Sequence, residues 1–149
     1  MSETIIVKIK ESHQIIRKLF EETEKEKNIE IKKDLYLQLK SELIAHMESE
    51  ERTIYKHLTE DVGDEEAENL AHDAFDEHEQ IRETIEELDK HTIENPRWKK
   101  MFENLKNEFI DHQLKEEISL FAEVREEFSK QELIEFGIEF EEVKIEHFS

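Results

Sequence analysis

The stretch HMESEE at residues 46–51 returns 66 positions later as HQLKEE at 112–117. The echo is wider than the hexapeptide. HQIIRKLFEE from His13 pairs with HEQIRETIEE from His78, and LIAHMESEERTIY from Leu43 pairs with FIDHQLKEEISLF from Phe109. A pattern written twice at nearly constant offset describes two like units. Within each unit apolar residues recur every three or four positions, the spacing of a helix with one buried face. The stripes are Ile6, Ile9, His13, Ile16 and Phe20; then Tyr36, Leu39, Leu43, His46, Glu50 and Ile54. The second unit gives Ala71, Ala74, His78, Ile81 and Ile85, then Trp98, Phe102, Leu105, Phe109, His112, Glu116 and Leu120.

Only two glycines and one proline occur in 149 residues, so little interrupts these helices. The first is predicted over about 3–25 and the second over about 30–58. DVGDEE then supplies a turn with Asp64 as N-cap, and the third helix runs to about residue 91. Asn95 before Pro96 reads as the cap of a fourth, ending near 128. Short connections between long helices predict an all-α, up-down-up-down four-helix bundle over 1–128. Residues 129–149 change pattern: ELIEFGIEFEEVKIEHF alternates apolar and acidic residues around Gly137. A short helical appendage packing on the bundle or on an interface is expected there, because its apolar residues are too many to leave exposed.

The repeated polar residues sit where a plain bundle would place leucine. Histidine and glutamate at i and i+4 share a helix face. His13, His46, Glu50, His78, His112 and Glu116 would therefore point into the core. Burying two uncompensated carboxylates costs several kcal/mol, on the order of the penalty for any buried unpaired ion. No lysine or arginine lies on these stripes at that level, with Arg17 and Arg82 at their edges. A metal cation is the simplest compensating charge; a hydrogen-bonded polar network without metal is the alternative. Nitrogen and oxygen ligands suit iron, manganese or zinc. Two glutamates bridging two ions, with imidazoles terminal on each, would use every one of the six. The order and step differ from the Glu-x-x-His arrangement of ferritin-like di-iron proteins.

His13, HMESEE, DEHEQI around His78 and HQLKEE, in that order, resemble the hemerythrin-like (HHE cation-binding) domain family over about residues 5–125. The resemblance implies two non-haem irons with an oxo or hydroxo bridge inside a four-helix bundle. It implies His46 and His112 as terminal ligands and Glu50 and Glu116 as bridges, with His13 and His78 completing the set. One iron would take His13 and His46, the other His78 and His112. Family roles include binding or sensing O₂ and handling peroxide, nitric oxide or iron. A di-iron enzyme (peroxide dismutation or ferrous-iron oxidation) and a metal-ordered interaction module are the alternative functions. Oxygen-carrying members usually have another histidine on the third helix, one turn before the partner of His78; that position here is Ala74. His72 cannot stand in, since six residues turn the helix by about 600°, roughly 120° off the His78 face. Open positions on both irons argue against a pure oxygen carrier.

Neighbouring residues get plainer readings. Glu51 and Glu117 are expected as solvated charge, with acceptance from a ligand imidazole as the alternative role. Tyr55 and Phe121, at matched positions, are expected to pack. His57 is expected as a helix-end histidine, and His72 as a surface one. A net charge of −20 counts against nucleic acid and anionic membrane as partners. No apolar run approaches a spanning length, and no signal-peptide core is visible. The absence of cysteine excludes disulfides and thiolate sites. Cytoplasmic residence, as monomer or homodimer, is the expectation.

Overall fold

A computed structural model describes residues 3–148; residues 1–2 and 149, at the ends of the ranges expected above, lie outside it. Helix α1 spans Ile5–Lys25. The second rod, α2, runs over Ile29–Glu50 and continues without a break through Glu51–Tyr55 and Lys56–Glu60. Helix α3 is Glu65–Asp89. The fourth rod, α4, is Pro96–Lys115, continuing through Glu116–Leu120 and Phe121–Glu127. Helix α5 is Lys130–Phe148. All regular structure among the described residues is helical, and four rods joined by short turns make the bundle.

Local chemistry fixes the rod ends. The Asn28 side chain accepts from the Ile31 N–H, Asp64 from Ala67 and Asn95 from Arg97, so each satisfies an orphan donor of a first turn. Pro96 occupies the first turn of α4, where its missing N–H costs nothing. Between α2 and α3, Gly63 adopts φ +69°, a left-handed conformation that glycine reaches without Cβ strain.

Helix α5 is a full 19 residues, and it lies against α1 and α2. Leu133, Phe136, Phe140 and Val143 are buried, whereas Ile138 and Ile145 face solvent. The glycine that interrupts the tail's pattern has a packing cause. A Cβ on Gly137 would sit 3.0 Å from the Glu3 carbonyl oxygen and 3.1 Å from the Ile5 nitrogen, so α5 approaches the start of α1 backbone to side-chain-free backbone.

Two interruptions of ordinary helical bonding position the site. Glu51–Tyr55 and Glu116–Leu120 are π-helical turns, each inserting one extra residue into its rod. Each follows directly on, or begins with, one of the two glutamates of the repeated hexapeptide. In α2, hydroxyls serve the disturbed carbonyls: Ser49 Oγ donates to the Ala45 oxygen at 2.7 Å and Thr53 Oγ1 to the Ser49 oxygen at 2.5 Å.

The apolar core falls into two clusters. One includes Ile16, Phe20, Leu39, Leu43, Ile85, Phe102 and Phe109. The other includes Ile5, Ile9, Ile54, Leu58, Ala71, Phe121 and Phe140.

Candidate metal centre

His13, His46, Glu50, His78, His112 and Glu116 are all buried and meet in one layer. They form two overlapping groups, His13, His46, Glu50, Glu116 and Glu50, His78, His112, Glu116, whose ligand atoms lie within 4.8 Å of one another in each group. The two glutamates are common to both. Glu50 Oε1 is 2.9 Å from His46 Nε2 and 3.2 Å from His78 Nε2. Glu116 Oε1 is 3.1 Å from His13 Nε2, and its Oε2 is 3.4 Å from His112 Nε2. Each carboxylate thus touches one imidazole of each group.

The outer nitrogens explain why the inner ones converge. His13 Nδ1–H donates to Glu117 Oε2 at 2.9 Å and His78 Nδ1–H to Glu51 Oε2 at 2.7 Å. His46 Nδ1 and Ser12 Oγ share a hydrogen bond of 2.8 Å, and His112 Nδ1–H donates to Glu77 Oε1 at 2.7 Å. With every Nδ1 engaged outside the layer, all four Nε2 atoms face into it, the orientation that a metal-binding imidazole requires. These supports are held in turn. Arg82 donates to Glu51 Oε1 at 2.8 Å, Lys115 to Glu77 Oε2 at 2.8 Å, and Gln113 to Glu117 Oε2 at 3.0 Å.

The supports repeat with the sequence. The residue before the first histidine of each unit, Ser12 or Glu77, holds the second histidine of that same unit. The residue after each repeated glutamate, Glu51 or Glu117, holds the first histidine of the other unit. Glu51 and Glu117 therefore accept from imidazoles rather than standing as solvated charge, which corrects the sequence expectation. Ser12 and Glu77 escaped the sequence reading, although their equivalent places one residue before His13 and His78 were visible in the repeat.

Tyr55 is the second correction. On a regular helix it would point about 140° away from Glu50. The extra residue of the π turn brings its phenol inside, where Oη donates to Glu116 Oε2 at 2.5 Å. The same oxygen lies 3.2 Å from His78 Nε2 and 3.3 Å from His112 Nε2. Its counterpart Phe121 packs in the apolar core, as expected. The two halves of the site thus differ at Tyr55/Phe121 and at Ser12/Glu77, and both differences favour oxygen-rich surroundings for His78 and His112.

Protonation follows from burial and neighbours. Burial, helped by His13, drives His46 well below the ordinary imidazole range. Burial also lowers His78, although Glu51 pulls the other way. His112 goes the opposite way: burial disfavours its charge, but Glu116 and Glu77 outweigh that and push it up to about 9. Burial and the Glu116 charge raise Glu50 well above the carboxylate range. Glu116 resists its own burial because the adjoining Glu50, the His112 charge and His13 hold it well below that range. Burial, Glu116 and Glu50 together keep the Tyr55 phenol protonated.

Without a cation the layer is poorly satisfied. His13 Nε2, His46 Nε2, both Glu50 oxygens and Glu116 Oε1 are buried with no hydrogen bond. Buried polar atoms are rarely left so, and here all of them are nitrogen or oxygen lone pairs aimed at one space. Five convergent orphan acceptors, with sulfur absent, fit hard or borderline metal ions such as iron.

Other histidines lie elsewhere. His57 stacks on Phe136, with centroids 3.8 Å apart, and bonds Asp61 and Glu139, which ties α2 to α5. His72 is exposed, as expected. Ala74 is buried beside the site and supplies no ligand atom.

An all-helical bundle carrying a layer of four imidazoles and two shared carboxylates is the signature of a cation-binding bundle protein. The profile of the hemerythrin HHE cation binding domain matches residues 4–124, and the chain belongs to that family. A DNA nickase from Nostoc sp. (strain PCC 7120) is 24% identical over 136 residues, covering 91% of this chain and 38% of the nickase. The chain therefore spans well under half of the curated relative it matches. The crystal structure of a hemerythrin HHE cation binding domain-containing protein from Mycobacterium kansasii superposes with a TM-score of 0.85. It is 23% identical, and the match covers 99% of this chain and 88% of that one, so the likeness is one of fold. Among the described residues no helix is long and apolar enough to cross a membrane.

Proposed function

We propose that the protein holds two non-haem iron ions in this layer and uses them on small oxidants, peroxide foremost, rather than for oxygen carriage alone. One observation carries the reading. Glu50 and Glu116 each touch an imidazole from both groups, and both Glu50 oxygens and Glu116 Oε1 have no hydrogen bond. His13 and His46 would hold one ion, His78 and His112 the other, and the two glutamates would bridge them. Bound iron supplies redox and Lewis-acid chemistry at neutral pH.

The chain's own residues shape that chemistry. Each ion would draw on two imidazoles and two shared carboxylates of this chain, a donor set that would leave room for an exogenous ligand. Tyr55 Oη offers an oxygen to the His78–His112 position, where Ala74 leaves the third helix without a donor. The Nδ1 bonds fix all four rings before any ligand arrives, so little is lost to reorganisation. Apolar residues pack around the layer, and its six side chains are each at most 2% exposed. The charge of −20 opposes a phosphate backbone, so the nickase's activity is not carried over to this chain.

Metal analysis and the visible spectrum of protein purified aerobically from iron-supplemented cells test the proposal. Near two irons per chain, with an iron-dependent absorption that responds to peroxide and is lost in Glu50→Ala and His112→Ala, is the expected result. Zinc, a single ion or none would count against it. Catalytic rather than stoichiometric consumption of peroxide would make the protein an enzyme.

A further inference from the structure

A cleft of about 420 Å³ opens between α3 and α4 directly beside Ala74. Its floor is formed by His112 and Glu116, both members of the buried layer, and its rim by Asp73, Asp76 and Glu77. Lys115, at its lining, is already bonded to Glu77. We propose that this cleft is the route by which divalent cations reach the His78–His112 position. The inference rests on the metal-centre reading above.

Three observations point the same way. The floor carries atoms of the layer: His112 and Glu116 are each only 2% exposed, Glu116 Oε2 lies 3.4 Å from His112 Nε2, and its Oε1, unpartnered, lies beside His13. Ala74 lines the opening, so a longer side chain at that position would take up part of its space. The rim selects by charge, since Asp73 and Asp76 are exposed carboxylates at the mouth, and Lys115 beside them bonds Glu77. Such a mouth concentrates cations and repels anions, an effect that weakens with salt. Glu77 then links rim to floor, bonding Lys115 at the surface with one oxygen and His112 with the other.

The test follows Co²⁺ uptake by chelator-stripped protein through the visible bands of the bound ion, with release from the loaded protein into a chelator as a second reading. Ala74→Leu should slow both by about tenfold or more while the final stoichiometry stays that of the unsubstituted chain. Asp73→Asn, a surface change that leaves the core untouched, should slow uptake about two- to threefold at low ionic strength. That difference should vanish near 1 M salt, where the screening length is about 3 Å. Should Ala74→Leu lose its helicity, Asp73→Asn alone decides. Unchanged rates in the folded variants would overturn the route. Failure of the unsubstituted protein to bind any metal would instead overturn the metal centre itself.

Discussion

Replacing Glu50 by glutamine separates a metal site from a structural polar network. The side chain is fully buried, and neither oxygen makes a hydrogen bond. A carboxylate so placed cannot keep its charge cheaply, and burial with the neighbouring Glu116 holds Glu50 protonated in the metal-free protein. Its short contacts to His46 and His78 are therefore meetings of neutral groups, because burial keeps those imidazoles uncharged as well. Glu50→Gln exchanges one neutral group for another of the same shape. The metal-free variant should stay within about 1 kcal/mol of the parent, the scale of a near-isosteric exchange that breaks no bond. Metal changes the comparison. An ion present at 100 times its dissociation constant stabilises the fold by about 2.7 kcal/mol. For a chain of this size that is a rise of about 5–10 °C in Tm. Glu50→Gln should reduce the rise to under about 2 °C at the same metal concentration, since it removes a donor from both groups. Glu116→Gln should behave differently. Glu116 carries charge against His112 and accepts from Tyr55, so even the metal-free variant should lose about 3–5 kcal/mol, as a broken buried pair does. Paired melts followed by circular dichroism, with chelator and with anaerobic Fe²⁺, measure all of this. A metal-free Glu50→Gln protein weakened by about 3–5 kcal/mol, beside a parent indifferent to metal, would refute the reasoning and leave a structural ion network.

Three further outcomes are expected. Tyr55→Phe should cost the metal-free protein about 1.5–3 kcal/mol in urea unfolding, the worth of a hydrogen bond to a charged acceptor; no change would mean the phenol is only packed. Glu51→Gln leaves His78 Nδ1 a weaker acceptor, and metal affinity measured by competition with a chelator should fall about 10- to 100-fold. Glu123, raised to about 6 by burial, Glu66 and Asp64, predicts a pH effect away from the metal layer. Its folded pKa lies above its unfolded 4.5, so the stability it allows is fully present below pH 4.5 and is lost as pH rises through about 6. Glu123→Gln should thus gain a few tenths, roughly, of a kcal/mol at pH 7, because solvent screens the site, and nothing at pH 4. A gain that persisted at pH 4 would contradict this assignment.

The fold was legible because its signals are local. Caps at Asp64 and Asn95, the turn at DVGDEE and the recurring apolar stripes each act within a few residues, and the structure shows them where the pattern put them. The six inward polar residues were legible too, since a histidine or glutamate on an apolar stripe contradicts its surroundings. What escaped was anything that depended on the rods being irregular or on partners far away. Tyr55, expected to pack like its counterpart Phe121, reaches the layer because the π turn holds one residue more than a regular helix, which the sequence does not announce. Glu51 and Glu117 looked like solvated charge because their imidazole partners are 27 and 104 positions distant. Glu77 carried the least signal: nothing in DEHEQI distinguishes a carboxylate that bonds His112 from the acidic surface around it.

The division of the apolar core has a consequence for how the molecule coheres. The two clusters meet across the polar layer largely through its imidazoles. His13 sets its edge against Phe109 of one cluster, with centroids 5.8 Å apart, while His46 meets Phe140 of the other at 6.1 Å. The rings that would hold metal are also the joint between two blocks of oil. Draining charge from that joint would leave each block packed but slacken the seam, and filling it would clamp both ends of the bundle in one event. Metal occupancy would then register in the stiffness of the whole rod assembly, far from the ions themselves.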